Sequence, residues 1–413
     1  MVELLSPQFS AVNRHRPMQY MKNKWLFLPA LLLVIAPLAA SAYAPYLPRL
    51  LWEGYPAATW PAPGTFVQIG GADEVAPQRS EPAADPNAKL QALFTESDGR
   101  AILAVHNGKI VMEHYALGIT RETKLNSYSL AKSLVGALTL KAISEGRISS
   151  RELPLGLLLT ELSGTESGRL PLCRFLDMRS GIAFENGAKK QTVGLEMKDL
   201  EASKLNLFGP MARLHMQGLR SIEAHLRPQP DDVDAATCAS GSYSYQNVNT
   251  AIVGEVLERA YGKPLQEILS EKIWKPAGAA EAAWRRYGPD LSVTPYCCIY
   301  ARPIDWLMVA QFLLDNGKPG APFLPEPLWR EMMGLDVEPS SLHAGHYENF
   351  VYHNVLDRPG ERLQGGFAYF FGSRGQVVYL MPKERLAVVR FGGRVQLLHT
   401  TLYELERSIS ILD

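Results

Sequence analysis

Asn126-Ser127-Tyr128-Ser129-Leu130-Ala131-Lys132-Ser133 runs on into Leu134, Val135, Gly136, Ala137, Leu138, Thr139 and Leu140, with no acidic residue before Glu145. Apolar residues fall on nearly every face of this segment, which predicts a buried, central helix over 129–145. Asn126 and Ser127 are both of the residue types that cap a helix by accepting from the N–H groups of its first turn. Ser129 and Lys132 are three apart, the spacing that puts two side chains on one face. Gly136 continues that face one turn on and leaves room beside the pair. Burial and the positive end of the helix both disfavour an ammonium at Lys132, so its pKa is expected to fall toward neutrality. A neutral lysine beside a serine hydroxyl makes an activated nucleophile. The spacing alone is common in long chains, so its meaning depends on the surroundings.

Upstream, Ala101-Ile102-Leu103-Ala104-Val105 and Ile110-Val111-Met112-Glu113-His114-Tyr115 flank Asn107-Gly108, a pair that admits the positive φ angles of a tight hairpin. Downstream the apolar period is helical over 171–178, 248–261, 264–274, 303–315 and 326–333. Strands return at Val377-Val378-Tyr379-Leu380 and Leu386-Ala387-Val388-Val389-Arg390-Phe391, and an amphipathic helix closes the chain over about 396–411. Strands at both ends with helices between predict an α/β fold of the α+β type. Both chain ends complete one antiparallel sheet, and a helical insertion occupies roughly 146–350. The folded domain is expected over 90–413. Residues 53–89, with Pro56, Pro61, Pro63, Pro77, Pro82 and Pro86, read as an extended linker.

The 413 residues carry 42 Lys+Arg against 42 Asp+Glu, a balance without the basic excess that nucleic-acid binding needs. Arg14, Arg16, Lys22 and Lys24 precede an uncharged run from Trp25 to Pro48 that contains the small-residue exit Ala40-Ser41-Ala42. Residues 1–52 therefore read as a tip plus an export segment, either a cleaved signal or an anchor over about 25–48 that contacts the membrane. The protein is expected to be exported and periplasmic, released or held at the inner membrane. In an oxidising compartment Cys173, Cys238, Cys297 and Cys298 can pair in three complete ways. No Cys or His cluster has zinc spacing, and His343, His346 and His353 read as loop and surface residues, so neither metal nor cofactor is assigned.

Two further blocks complete the chemistry. Gly241-Ser242-Tyr243-Ser244-Tyr245-Gln246-Asn247-Val248-Asn249 leads into a helix, and Gly372-Ser373-Arg374-Gly375-Gln376 leads into a strand. With Ser129-x-x-Lys132, these resemble the Ser-x-x-Lys, Tyr-x-Asn and strand-borne glycine motifs of serine hydrolases related to class C β-lactamases. The pattern is most similar to that of 6-aminohexanoate-dimer hydrolases and related esterases. Leu176-Asp177-Met178-Arg179-Ser180-Gly181-Ile182 and Cys297-Cys298-Ile299-Tyr300-Ala301-Arg302-Pro303-Ile304-Asp305-Trp306 also resemble family segments, so the likeness covers roughly 100–392.

The resemblance implies a β-lactamase/transpeptidase-like fold and a serine hydrolase acting on a small amide or ester. Ser129 would be the acylated nucleophile, Lys132 its partner base, and Tyr245 the proton relay to the leaving group and then to water. Tyr243 competes for that last role, but only Tyr245 gives Tyr-x-Asn before the helix. Asn247 would either orient the substrate amide or cap the helix starting near Val248. The oxyanion hole would use the backbone N–H groups of Ser129 and Gln376, with Gly375 and Arg374 at the substrate edge. β-Lactamases and penicillin-binding proteins commonly carry Lys-Thr-Gly or His-Thr-Gly there. Ser373-Arg374-Gly375 departs from that pattern, and Arg374 either grips a carboxylate or stands exposed in its turn. The alternatives are a penicillin-binding peptidase or β-lactamase, and a non-catalytic binding module on the same fold.

Overall fold

Within the proline-rich stretch at 53–89, residues 54–69 pack and pair against the rest of the body. A computed structural model describes residues 44–72, 78–182, 207–228, 237–396 and 398–409. It places strand β1 (Phe66–Ile69) within that stretch, paired antiparallel with Ala282–Arg285. The prolines at 56, 61 and 63 flank this edge strand rather than interrupt it, which spares the ladder their missing N–H groups. Trp60 supplies apolar surface that the composition conceals: its ring lies 4.9 Å from Phe66 and 5.6 Å from Tyr300. The chain divides into two compact units, Met1–Leu51 and Trp52–Asp413, and every element named below belongs to the second. No helix among the described residues is long and apolar enough to cross a membrane; the run at 25–43 lies outside them.

Strand β2 (Gln78–Ala84) and helix α1 (Ala88–Glu96) precede β3 (Gly99–His106) and β4 (Lys109–Tyr115). Asn107 and Gly108 take φ of 49° and 77°, the left-handed pair that the tight turn of this hairpin requires. After β5 (Leu125–Asn126) comes the long helix α2 (Leu130–Ser144), then α3 (Leu172–Leu176), α4 (Pro210–Gln217), α5 (Asn247–Tyr261) and α6 (Leu265–Leu269). Strands β6 (Ala282–Arg285) and β7 (Ile299–Ala301) lead to α7 (Pro303–Leu314) and α8 (Glu326–Met333). The chain ends with β8 (His346–Glu348), β9 (Val351–Leu356), β10 (Gly365–Gly372), β11 (Gln376–Met381), β12 (Leu386–Gly392) and α9 (Leu398–Ile409).

The large sheet has the order β8-β9-β10-β11-β12-β3-β4-β2, with β12 against β3, so both chain ends close one sheet. Every pairing in it is antiparallel except β2 with β4. Helix α7 packs across β12, β3 and β11, while α2 lies between β10 and β11 on one side and α5 on the other. That position requires apolar residues all round α2, and twelve of its residues from Leu130 to Ala142 are buried. The insertion is not purely helical. It contributes β6 and β7 to a second sheet, β1-β6-β7-β5, and β5 ends where the nucleophile turn begins. The positions of α2, α5, α7, α8 and α9 agree with the helical periods read from the sequence, whereas β1, β2, β5–β7 and β8–β10 had no counterpart there.

Candidate active site

Tyr128 carries the chain from β5 into α2 with φ of 43°, a left-handed conformation that is costly for a bulky side chain. Its surroundings hold it there. Its N–H donates to Asn126 Oδ1 at 2.9 Å, its hydroxyl to the Pro56 carbonyl at 3.2 Å, and its own carbonyl accepts from Cys298 N at 3.2 Å. Ser127 N donates to Ile299 O at 2.8 Å, and Ile299 N to Ser127 Oγ at 3.0 Å. Asn126 and Ser127 therefore brace the turn against β7 and do not cap the helix. The N-cap residue is Ser129, and its side chain makes no capping bond.

Ser129 Oγ instead accepts from Lys132 Nζ at 2.9 Å, and the same Nζ donates to the Tyr296 carbonyl at 2.8 Å. Lys132 is 1% exposed. The Tyr245 ring lies 4.9 Å from its Nζ and the Tyr296 ring 5.7 Å away. The structure thus brings Ser129, Lys132 and Tyr245 together. Tyr243 packs against Tyr347 at 5.4 Å and shares a hydrogen bond with Tyr352, and burial raises its hydroxyl well above the ordinary range. Gly136 does not leave an open space, because a Cβ there would collide with the Asn349 carbonyl.

The segment bearing Tyr245 is fastened by the turn after α3, where Met178 takes φ of 55°. Ser244 N donates to Met178 O at 2.8 Å, Asn249 Nδ2 to Met178 Sδ at 3.2 Å, and Ser180 Oγ to Asn249 Oδ1 at 2.6 Å. Beside it, Asp177 Oδ1 accepts from Asn349 N at 2.9 Å. Burial pushes the Asp177 carboxyl up to about 7, against the opposing pull of Arg151. Asn247 is the first residue of α5 and half-buried; the N-cap is Gln246, so the capping role does not fall to Asn247.

The hairpin between β10 and β11 places its two glycines in different surroundings. A Cβ at Gly372 would lie 2.5 Å from Ser127 O and 3.2 Å from Ser129 N, so Gly372 faces the nucleophile turn. Gly375 lies against Arg390 Nη1 and the Arg394 carbonyl instead. The Gln376 side chain donates to Ser373 O and Gly392 O, both at 2.9 Å, and accepts from Gly392 N, which ties it to β12. Gly372 closes an uninterrupted apolar run that alternation does not reveal as a strand, which is why Gly375 looked the better candidate. Arg374, φ 64°, extends its guanidinium to 5.3 Å from the Tyr55 ring and 5.9 Å from the Tyr128 ring.

The cysteines pair as Cys173–Cys238 and Cys297–Cys298. His353 is not a surface residue: it is 1% exposed, stands opposite His346 in the β8–β9 ladder, and burial lowers it to about 4. Among the described residues no group of three or more His, Cys, Asp or Glu is arranged to hold a metal ion.

The Beta-lactamase family model matches residues 89–396, which include the nucleophile turn, the Tyr245 segment and the β10–β11 hairpin. The chain belongs to the beta-lactamase family. Its fold is beta-lactamase-like, and the family is one of serine hydrolases. A 6-aminohexanoate-dimer hydrolase of Paenarthrobacter ureafaciens is 24% identical over 237 residues, 54% of this chain and 56% of the relative. The match thus spans little more than half the length of that curated protein. Among solved structures, a Bacillus anthracis protein provisionally named 6-aminohexanoate-dimer hydrolase aligns with a TM-score of 0.59 at 21% identity, over 84% of this chain and 90% of that one. A D-stereospecific amidohydrolase from a Streptomyces species aligns with a TM-score of 0.54 at 16% identity, over 78% and 98%. EstCE1, a hydrolase with promiscuous acyltransferase activity, gives 0.56 at 13% identity, over 78% and 97%.

Proposed function

We propose that the protein hydrolyses a small amide or ester through an acyl-enzyme on Ser129. The observation that carries this is the buried Lys132 ammonium position, bonded to Ser129 Oγ and roofed by the Tyr245 ring. Lys132, acting with Tyr245, takes the Ser129 proton as Oγ attacks the carbonyl carbon. The negative charge on the carbonyl oxygen is met by the Ser129 N–H and, given the approach of Gly372, by the N–H of Ser373 rather than that of Gln376. The leaving nitrogen or oxygen departs with a proton from Tyr245. Water then attacks the acyl carbon, its proton passes through the same pair to Ser129 Oγ as the C–Oγ bond breaks, and the acid is released. The relatives named for amide hydrolysis support the substrate class.

A β-lactamase or penicillin-binding peptidase is the weaker reading. The glycine at the nucleophile is preceded by Phe370 and Phe371, which offer neither cation nor hydroxyl where those enzymes commonly carry Lys-Thr or His-Thr. Export to the periplasm, by a signal or an anchor over about 25–48, belongs to the same proposal. It rests on the basic flank, the apolar run and the small-residue exit. A fluorophosphonate probe followed by peptide mapping tests the assignment. Label on Ser129 alone, with Ser129→Ala inert toward p-nitrophenyl esters, is expected. Label on a different serine would overturn it, and failure of any serine to react would favour a non-catalytic binding module.

A further inference from the structure

Residues 54–60 lie outside the stretch that the family model matches, yet they are built onto the nucleophile turn. Ala57 O accepts from Asn126 Nδ2 at 2.9 Å and from the Tyr300 hydroxyl at 2.8 Å, Asn126 N donates to Ala58 O at 3.0 Å, and Pro56 O takes the Tyr128 hydroxyl. This strap sets Tyr55, 57% exposed, 6.0 Å from the Tyr128 ring. The Arg374 guanidinium lies over both rings. Its residue sits two positions beyond Gly372, the glycine against the Ser129 amide. Three other arginines of the body pair with carboxylates, Arg285 with Glu53, Arg302 with Asp305, and Arg151 with Glu348, while Arg390 donates to carbonyls and the Ser97 hydroxyl. Among the described residues no carboxylate pairs with Arg374. A guanidinium on aromatic faces keeps its planar fork available for a carboxylate.

We propose that Arg374, shelved on Tyr55 and Tyr128, selects substrates whose acyl part carries a carboxylate. The proposal rests on the hydrolase reading above, which also sets the direction. The leaving group departs toward its proton donor, Tyr245, which stands over Lys132, one turn along α2 from Ser129. Arg374 stands over the ring of Tyr128, the residue before Ser129, and not beside Lys132 and Tyr245, so the carboxylate is assigned to the acyl part and not to the leaving group.

The test compares the mono-p-nitrophenyl ester of adipic acid with neutral p-nitrophenyl heptanoate, of matching length, using enzyme counted by fluorophosphonate titration of Ser129. In the wild type the ratio of kcat/KM, corrected for uncatalysed hydrolysis, is expected to favour the adipate ester by at least about tenfold and to shrink in 1 M NaCl. In Arg374→Ala the ratio should collapse to near one, chiefly through KM, with Arg374→Lys between and Tyr55→Ala lowering it in the same direction. A labelled wild type with no preference, or an Arg374→Ala variant that loses both substrates equally and keeps the ratio, would overturn the selection alone. A wild type that neither labels nor turns over either ester would overturn the hydrolase reading and this proposal with it.

Discussion

Lys132 holds its position by two donated hydrogen bonds, to Ser129 Oγ at 2.9 Å and Tyr296 O at 2.8 Å, in a space walled by two tyrosine rings. If it must lose a proton to activate Ser129, arginine fails there although it keeps the charge, because guanidinium does not deprotonate and its planar fork does not fit a compact ammonium site. Lys132→Arg and Lys132→Ala are both expected to slow pre-steady-state acylation by about 10²–10⁴-fold. An arginine variant within about tenfold of wild type, beside a dead alanine variant, would show that only the charge matters. The two glycines of the β10–β11 hairpin separate in the same way. Gly372→Ala places a methyl 2.5 Å from Ser127 O beside the Ser129 amide, so it should cut acylation by about 10²-fold, the scale of losing one oxyanion donor. Gly375→Ala meets Arg390 and a φ of 78°, so it should lower the melting temperature while sparing the acylation rate per labelled site. The opposite pattern would return the oxyanion assignment to Gln376.

The elements meet most tightly where the β8–β9 turn touches α2 and the turn after α3. Gly136 of α2 faces the Asn349 carbonyl so closely that a methyl has no room, and Gly136→Ala should destabilise by about 1–3 kcal/mol through overpacking, read as a lower urea midpoint. On the other side of that turn, Asn349 N donates to Asp177. The Asp177 carboxyl, about 7 when folded against an ordinary 3.8, binds more protons in the native state between those values, so this group makes stability fall as pH rises through the window. His353, about 4 against 6.5, does the reverse and makes stability rise over most of the same range. Glu348, held down to about 2 against the upward push of burial by its partners His346 and Arg151, changes only at lower pH. Asp177→Asn keeps the acceptor for Asn349 N, and its melting temperature should therefore climb more steeply than wild type from pH 4.5 to 7. Parallel curves would show that Asp177 does not titrate in that interval. Helices of this kind were legible because their period and spacing are local: 326–333 was read from its apolar period with the observed bounds, and Ser129 with Lys132 from three residues' separation. Strand β10 was not legible, since Phe367 to Phe371 is buried throughout and shows no alternation. Strands β5 and β7 have two and three residues, too few to carry any period.

At the scale of the molecule, contacts between distant segments decide what the sequence left open: the strap at 54–60 on the nucleophile turn, the Tyr296 carbonyl under Lys132, and the pairing of the cysteines. No rule of spacing chooses among three connectivities, because proximity in the fold is what selects Cys173 with Cys238 and Cys297 with Cys298. The two bonds should differ in energetic weight. Cys173–Cys238 spans a sequence separation of 65 and ties α3 to the approach of Tyr245. Closing a loop of that length restricts the unfolded chain by about 2–4 kcal/mol. Cys297–Cys298 has a separation of 1 and closes almost no loop, so by the same reasoning it adds little, roughly within 1 kcal/mol. The prediction is that Cys173→Ser/Cys238→Ser lowers the urea midpoint by the larger amount, and that Cys297→Ser/Cys298→Ser, or its effect on folding stability, is small. Reductant should bring wild type to the midpoint of the first double variant and leave that variant nearly unmoved. The measurement is urea unfolding of the four samples, followed by tryptophan fluorescence with the slope checked for two-state behaviour. Equal losses in both double variants would remove loop closure as the source, leaving local packing at each cysteine pair as the cause.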